Sequence, residues 1–175
     1  NNCGSVNPGL PAGRAAGDLM IALVNQLESS AVNTEPAGWT RIYNATAATD
    51  FRVFVYYRVA TNDAGDNFTF TQATTCSSLG ARISAFRGVD TANPFEFAGT
   101  IPAGNVATAN AGDLDTGTED TLSVAAMTVI AGFIQDNRTV TEGGGWSESF
   151  DDSRNVTRDY GLSLHYQLQS AAGTK

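Results

Sequence analysis

Thr34-Glu35-Pro36-Ala37-Gly38-Trp39-Thr40, followed by Asp50 to Ala60 (D-F-R-V-F-V-Y-Y-R-V-A), decides the fold, because both stretches occur twice. Thr141-Glu142-Gly143-Gly144-Gly145-Trp146-Ser147 repeats the first, and Asp159 to Gln169 (D-Y-G-L-S-L-H-Y-Q-L-Q) repeats the second without a gap. A third match lies upstream, where Gly17-Asp18-Leu19-Met20-Ile21-Ala22 aligns with Asp120-Thr121-Leu122-Ser123-Val124-Ala125. Matches in the same order imply two related halves, about 1–95 and 96–175. Each half would be a strand, a Gly-rich turn carrying Trp, and a further strand. Two copies are too few for a solenoid, so the expectation is one pseudo-symmetric domain over residues 1–175.

The run Phe51 to Val59 shows why these are strands. Phe51, Val53, Val55, Tyr57 and Val59 fall on one face and Arg52, Phe54, Tyr56 and Arg58 on the other, which is period-two spacing. Leu19 to Leu27 is almost continuously apolar and has the length of a strand buried on both faces. Phe68 to Thr71 and Leu79 to Phe86 read as further strands, and Leu122 to Gln135 as the strand equivalent to Leu19–Leu27. Trp39–Tyr43 and Trp146–Phe150 begin strands after their turns. Residues 1–17 are turn-rich and read as irregular or edge structure, Ser29 to Gly38 as a loop, and one strand is expected near Asn105 to Asn110. Short strands joined by Gly, Pro, Asn and Asp turns, with no capped amphipathic helix, predict an all-β fold. The expected architecture is an antiparallel β-sandwich.

The two halves differ in one respect. After Ala60 the first continues into two more strands, whereas Gln169 is followed only by Ser-Ala-Ala-Gly-Thr-Lys. The second half is therefore expected to have an incomplete sheet edge. Such an edge is either blunted by loops or completed by a strand from a partner.

Composition limits the partners. The net charge is −8, Lys occurs only at Lys175, and the ten basic residues are scattered. A nucleic-acid backbone needs clustered Lys and Arg, so nucleic acid is excluded, and anionic membrane surfaces are disfavoured for the same reason. No apolar run is long enough to span a bilayer as a helix, so no membrane insertion is expected. A signal peptide is either absent or already removed. Cys3 and Cys76 fit no metal spacing. They are either a disulfide pinning the N-terminus, with an oxidising location, or two buried free thiols.

Several motifs together resemble a known module. They are Leu10-Pro11-Ala12-Gly13 running into Ala16-Gly17-Asp18-Leu19-Met20-Ile21-Ala22, then Pro36-Ala37-Gly38-Trp39-Thr40, Tyr56-Tyr57-Arg58-Val59-Ala60-Thr61, and Phe86-Arg87-Gly88-Val89-Asp90-Thr91-Ala92-Asn93-Pro94. In this order they resemble a β-sandwich module (Ig-like or jelly-roll-like) of phage and prophage virion or tail-associated proteins and of bacterial extracellular proteins. The resemblance covers roughly residues 10–170. It implies a structural or adhesive role at a particle or cell surface and carries no catalytic motif. The usual first strand is short or replaced by the Cys3 segment, and the usual final apolar strand is absent.

Individual side chains offer few sites. Trp39 and Trp146 are candidate sugar-stacking platforms, with a repeated packing feature as the competing reading. Tyr43, Phe54 and Tyr56 are weaker candidates for an exposed aromatic patch. Asp113, Asp115, Glu119 and Asp120 place carboxylates around Gly117 in a way that resembles an oxygen-rich calcium loop; the alternative is a solvated acidic turn. Asn62-Asp63-Ala64-Gly65-Asp66 is a weaker candidate of the same kind. Calcium is thus the one cofactor the chemistry admits. Asn44, Asn67, Asn137 and Asn155 head N-glycosylation sequons, only a small excess over what chance supplies. His165 is the only histidine, and no G-x-S-x-G elbow accompanies it, so it reads as a surface or packed residue. Asp151-Asp152 are adjacent carboxylates on a loop, a poor signal for glycosidase chemistry. The resulting expectation is a non-enzymatic structural subunit of a virion surface, tail or extracellular filament. It would be a homo-oligomer, or pair with neighbouring subunits, through sheet edges. The alternative is a surface glycan-binding, adhesin-like module.

Overall fold

A computed structural model describes residues 4–27, 33–48, 51–61, 68–72, 76–95, 126–134, 140–141, 143–154 and 159–168. Its strands are β1 (Ser5–Val6), β2 (Leu19–Leu27), β3 (Asn33–Thr34), β4 (Thr40–Ala48), β5 (Phe51–Val59), β6 (Phe70–Gln72), β7 (Ser78–Phe86), β8 (Met127–Ile134), β9 (Ser147–Arg154) and β10 (Tyr160–Leu168). They form three antiparallel sheets, ordered β4-β5-β2-β7, β8-β10-β9 and β1-β6-β3. No helix occurs among the described residues.

The apolar run of β2 explains the layout. Every residue of β2 is buried, because the strand lies between β5 and β7 and both its faces are covered. Leu19, Ile21, Leu23 and Leu27 join Phe51, Val53, Val55 and Phe86 in one cluster, completed by Tyr160, Leu162 and Leu164 of β10. Met20, Ala22 and Val24 point the other way, into a cluster with Phe54, Tyr56, Trp39, Phe68 and Phe70, the last supplied by β6. Each fully buried side chain of this size contributes about 1.5–3 kcal/mol, so the two clusters fix which face of each strand is which.

The internal repeat is visible in the register. β4-β5-β2 and β9-β10-β8 have the same order. Thr40↔Tyr57 and Arg41↔Tyr56 in the first sheet correspond to Ser147↔Tyr166 and Glu148↔His165 in the second. Both ladders then slip by one residue, leaving Ile42 and Ser149 as the extra residues. They resume at Tyr43↔Val55 and Phe150↔Leu164. The turns before β4 and β9 match too. The Trp39 amide donates to the Pro36 carbonyl (3.2 Å) and the Trp146 amide to the Gly143 carbonyl (3.3 Å). Gly38 (φ 82°) and Gly145 (φ 89°) hold the left-handed position that a type II turn requires. Arg58 and Gln167, equivalent in β5 and β10, brace these turns by donating to the carbonyls of Ala37 (3.2 Å) and Gly145 (3.0 Å).

Some expectations need correcting. The third repeat match is displaced: in the pairing with β10, Met127 takes the place that Leu19 takes against β5, while Leu122 to Ala125 lie outside the described residues. β3 is a short strand inside the segment read as a loop, paired with β6, while β1 is a short end strand within the segment read as irregular or edge structure. Asp151 and Asp152 are not on a loop but inside β9, so they point to opposite faces. The Cys3–Cys76 bridge reduces to a narrower statement. The described residues contain no complete disulfide, since Cys3 lies outside them, and Cys76 is buried and not a free thiol. The strand expected near Asn105 to Asn110 also lies outside the described residues.

Candidate functional site

Among the described residues, the end strands of the β4-β5-β2-β7 and β8-β10-β9 sheets are β4, β7, β8 and β9. An end strand presents unpaired backbone N–H and C=O groups, and proteins that stay apart protect it with charge, proline, bulges or a covering segment. β4 carries Arg41 and two register shifts. β9 carries Glu148, Asp151, Asp152 and Arg154 and the matching bulge. β7 carries Arg82, which forms an ion pair with Asp152 at 2.9 Å. It is also flanked by Val6 to Pro11, which line a groove of about 510 Å³ with Leu79–Ile83, Arg154 and Tyr160.

Among the described residues β8 has none of these protections. Its sequence, Met-Thr-Val-Ile-Ala-Gly-Phe-Ile, has no charge and no proline. Its ladder with β10 runs from Met127↔Leu168 to Ile134↔Gly161 without a shift. Among the described residues β10 is its only ladder partner. Its counterpart β2 is buried at every position, because β7 pairs with its far side. In β8 every residue but Gly132 is only half-buried. Met127, Val129, Ala131 and Phe133 nonetheless pack against the first cluster, as do half-buried Ile42, Tyr43, Ala45 and Tyr57.

The outward face of the β8-β10-β9 sheet is the second unusual feature. In β5 this face carries Phe54 and Tyr56 under an aromatic lid. The equivalent β10 residues are Ser163 (0 % exposed) and His165 (3 % exposed). Ser163 Oγ and both His165 ring nitrogens have no hydrogen-bond partner, nor does Thr128 Oγ1 or Asp151 Oδ1. These residues share one face, since Ser163 lies opposite Asp151, and His165 and Gln167 lie opposite Ile130 and Thr128. The other Asp151 oxygen accepts from the Val140 amide at 2.6 Å. His165 makes no hydrogen bond to a serine or carboxylate, so the geometry of a nucleophilic triad is not assembled.

The remaining candidates scatter. Trp39 is 6 % exposed, with its ring edge-on to Phe68 (5.3 Å) and Phe70 (5.7 Å), so it packs a core instead of facing solvent. Trp146 is half-buried. Phe54 and Tyr56 are fully buried, and Tyr43 half-buried. Burial raises the Tyr56 hydroxyl above its ordinary value. Asn44 is exposed and accepts from Arg52 Nε at 3.0 Å. Asp113, Asp115, Glu119, Asp120, the Asn62–Asp66 turn, Asn67, Asn137 and Asn155 lie outside the described residues. Among the described residues no group of three or more His, Cys, Asp or Glu side chains is placed to hold a metal ion. No helix among them is long and apolar enough to cross a membrane.

Sequence reasoning missed one polar element. Asp18 and Arg87 form a two-pronged pair (Nε–Oδ1 3.1 Å, Nη2–Oδ2 3.1 Å), Arg87 Nη2 also donates to the Gly13 carbonyl at 2.9 Å, and the Ala15 amide donates to Asp18 at 2.7 Å. The Arg87 hydrogen bonds, then the Ala15 amide, hold the Asp18 carboxyl below its ordinary value. The pair ties the turn before β2 to the end of β7, and both residues lay within quoted motifs without a signal that they meet.

No family model matches the chain, and no curated protein or solved structure matches it.

Proposed function

We propose that this chain is a non-enzymatic structural module, a β-sandwich of two pseudo-repeated halves that assembles with neighbouring subunits through its sheet edges. A virion surface, a tail or an extracellular filament is the setting that the motif resemblance implies. The observation that carries the reading is the contrast between edges. Among the described residues, β4, β7 and β9 bear charges, bulges or a flanking segment, while β8 bears none. An uncharged, unbulged end strand is what a protein exposes when pairing is its purpose.

The test is size-exclusion chromatography with light scattering over a concentration series, followed by negative-stain microscopy of the same sample. Ordered oligomers or filaments are the expected result. A protein that stays monomeric at millimolar concentration, and is also monomeric with its extracellular or particle neighbours added, would remove the proposal.

A further inference from the structure

We infer that β8 pairs with β8 of a second copy of this chain, antiparallel across a two-fold axis, joining the two β8-β10-β9 sheets into one continuous sheet. The inference rests on the assembly reading and names its partner.

Three observations support a second copy as the occupant. First, the edge contains nothing that rejects itself. Met127 to Ile134 is free of charge, so the antiparallel pairing places no like charges opposite each other, the usual bar to self-pairing. At the longest overlaps β7 would place Arg82 and β9 would place Asp151 against its own copy, while β4 is interrupted by two register shifts. Second, an antiparallel edge is complementary to itself, because a two-fold axis aligns each N–H with a C=O of the copy, and two-fold dimers are the commonest symmetric assembly. Third, the inner face has apolar surface to cover. Met127, Val129, Ala131 and Phe133 are only half-buried, as are Ile42, Tyr43 and Ala45 packed against the same cluster. The β2 positions equivalent to the β8 residues are closed off by β7. A neighbouring strand beside β8 supplies the corresponding cover.

The symmetry fixes the register to a small set. Directly opposed residues of an antiparallel pair point to the same face, and an axis perpendicular to the sheet keeps inner faces inner. A residue of β8 can therefore oppose only a residue of the same parity in the copy, so one residue must meet itself at the axis. For an eight-residue strand, the longest overlaps put Ile130 or Ala131 there.

The experiment uses the full chain with single cysteine substitutions at Met127, Ile130, Ala131 and Ile134. Each variant is oxidised mildly and its products are resolved by non-reducing electrophoresis and light scattering. The expected result is a covalent dimer from Ile130→Cys or Ala131→Cys and not from Met127→Cys or Ile134→Cys. Ile130→Lys and Thr128→Lys, both on the outward face, are expected to convert the dimer to monomer while far-UV circular dichroism is unchanged. If Ile130→Lys unfolds, Thr128→Lys alone gives the readout. Assembly that survives both lysine variants, with no cross-linking near the centre of β8, overturns the β8 pairing and leaves assembly through another edge standing. A wild-type chain that stays monomeric and forms no cross-link overturns self-pairing and, together with the absence of particles, the assembly reading as well.

Discussion

Asp18 shows what one carboxylate does when its hydrogen bonds are organised by a distant strand. Its folded-state value is lowered, chiefly by the Arg87 hydrogen bonds and then by the Ala15 amide. A lowered value means that the unfolded chain takes up the proton first as the pH falls. The stabilisation is therefore complete above the ordinary carboxylate value and is lost as the pH falls through the lowered folded value. The expected outcome is that wild-type melting temperature declines between about pH 5 and about pH 2, and that Asp18→Asn shows a shallower decline over the same window. Thermal melts at closely spaced pH values check it; identical profiles would mean the pair contributes nothing. Ser163 makes the opposite case. A buried hydroxyl without a partner costs roughly 1–3 kcal/mol, and Ser163 Oγ is such a group at a position where β5 has Phe54. Ser163→Ala is expected to raise stability by about 1 kcal/mol, measured by urea unfolding. A loss of stability would show that the hydroxyl is satisfied in solution.

At the scale of the element, the clearest constraint is Gly80 in β7. A Cβ there would lie 2.5 Å from both Asn25 Oδ1 and the Tyr160 ring. The four-stranded sheet and β10 approach each other through the space that glycine leaves. Gly80→Ala is expected to destabilise by roughly 1–3 kcal/mol, as overpacking of a filled core does, with equilibrium unfolding as the readout. A neutral substitution would mean that Tyr160 swings away at no cost. Nothing in the sequence marks Gly80, because a close approach between sheets is a property of packing. The period-two alternation of Phe51–Val59 and the repeated Trp turns, in contrast, were legible. They depend only on local spacing and on a glycine that must adopt positive φ, and the structure places β5, β10 and both turns where those signals put them. β3 was not legible, and β1 only as part of an irregular or edge segment, since two-residue strands carry no periodicity and here pair only with β6. The displaced alignment of Leu122 had a similar cause: apolar runs slide against each other, and only the ladder with β10 fixes which residue is first. Of the candidate sites, β8 was legible as an apolar run within Leu122 to Gln135. Its lack of charge became meaningful only when β4, β7 and β9 proved to be the other ends.

For the whole molecule, the net charge of −8 sets a test by sign. Two copies that approach each other repel, and this long-range term is screened over about 10 Å at 0.1 M salt. An interface built on charged pairs weakens as salt rises, because its attractions are screened as well. Pairing through β8 has no ion pair to lose, since Met127 to Ile134 contains no charged residue. Its contribution comes from backbone hydrogen bonds and from covering half-buried apolar side chains, and the latter is not weakened by salt. Association through β8 is therefore expected to strengthen as sodium chloride rises from about 0.02 M to about 0.5 M, with the dimer fraction at fixed protein concentration increasing by light scattering. Pairing through β9 or β7, which carry Asp151, Asp152, Arg154 and Arg82, would be free to follow the opposite trend. Dissociation by salt would thus exclude an uncharged strand as the main contact, without any substitution and without risk of unfolding the chain.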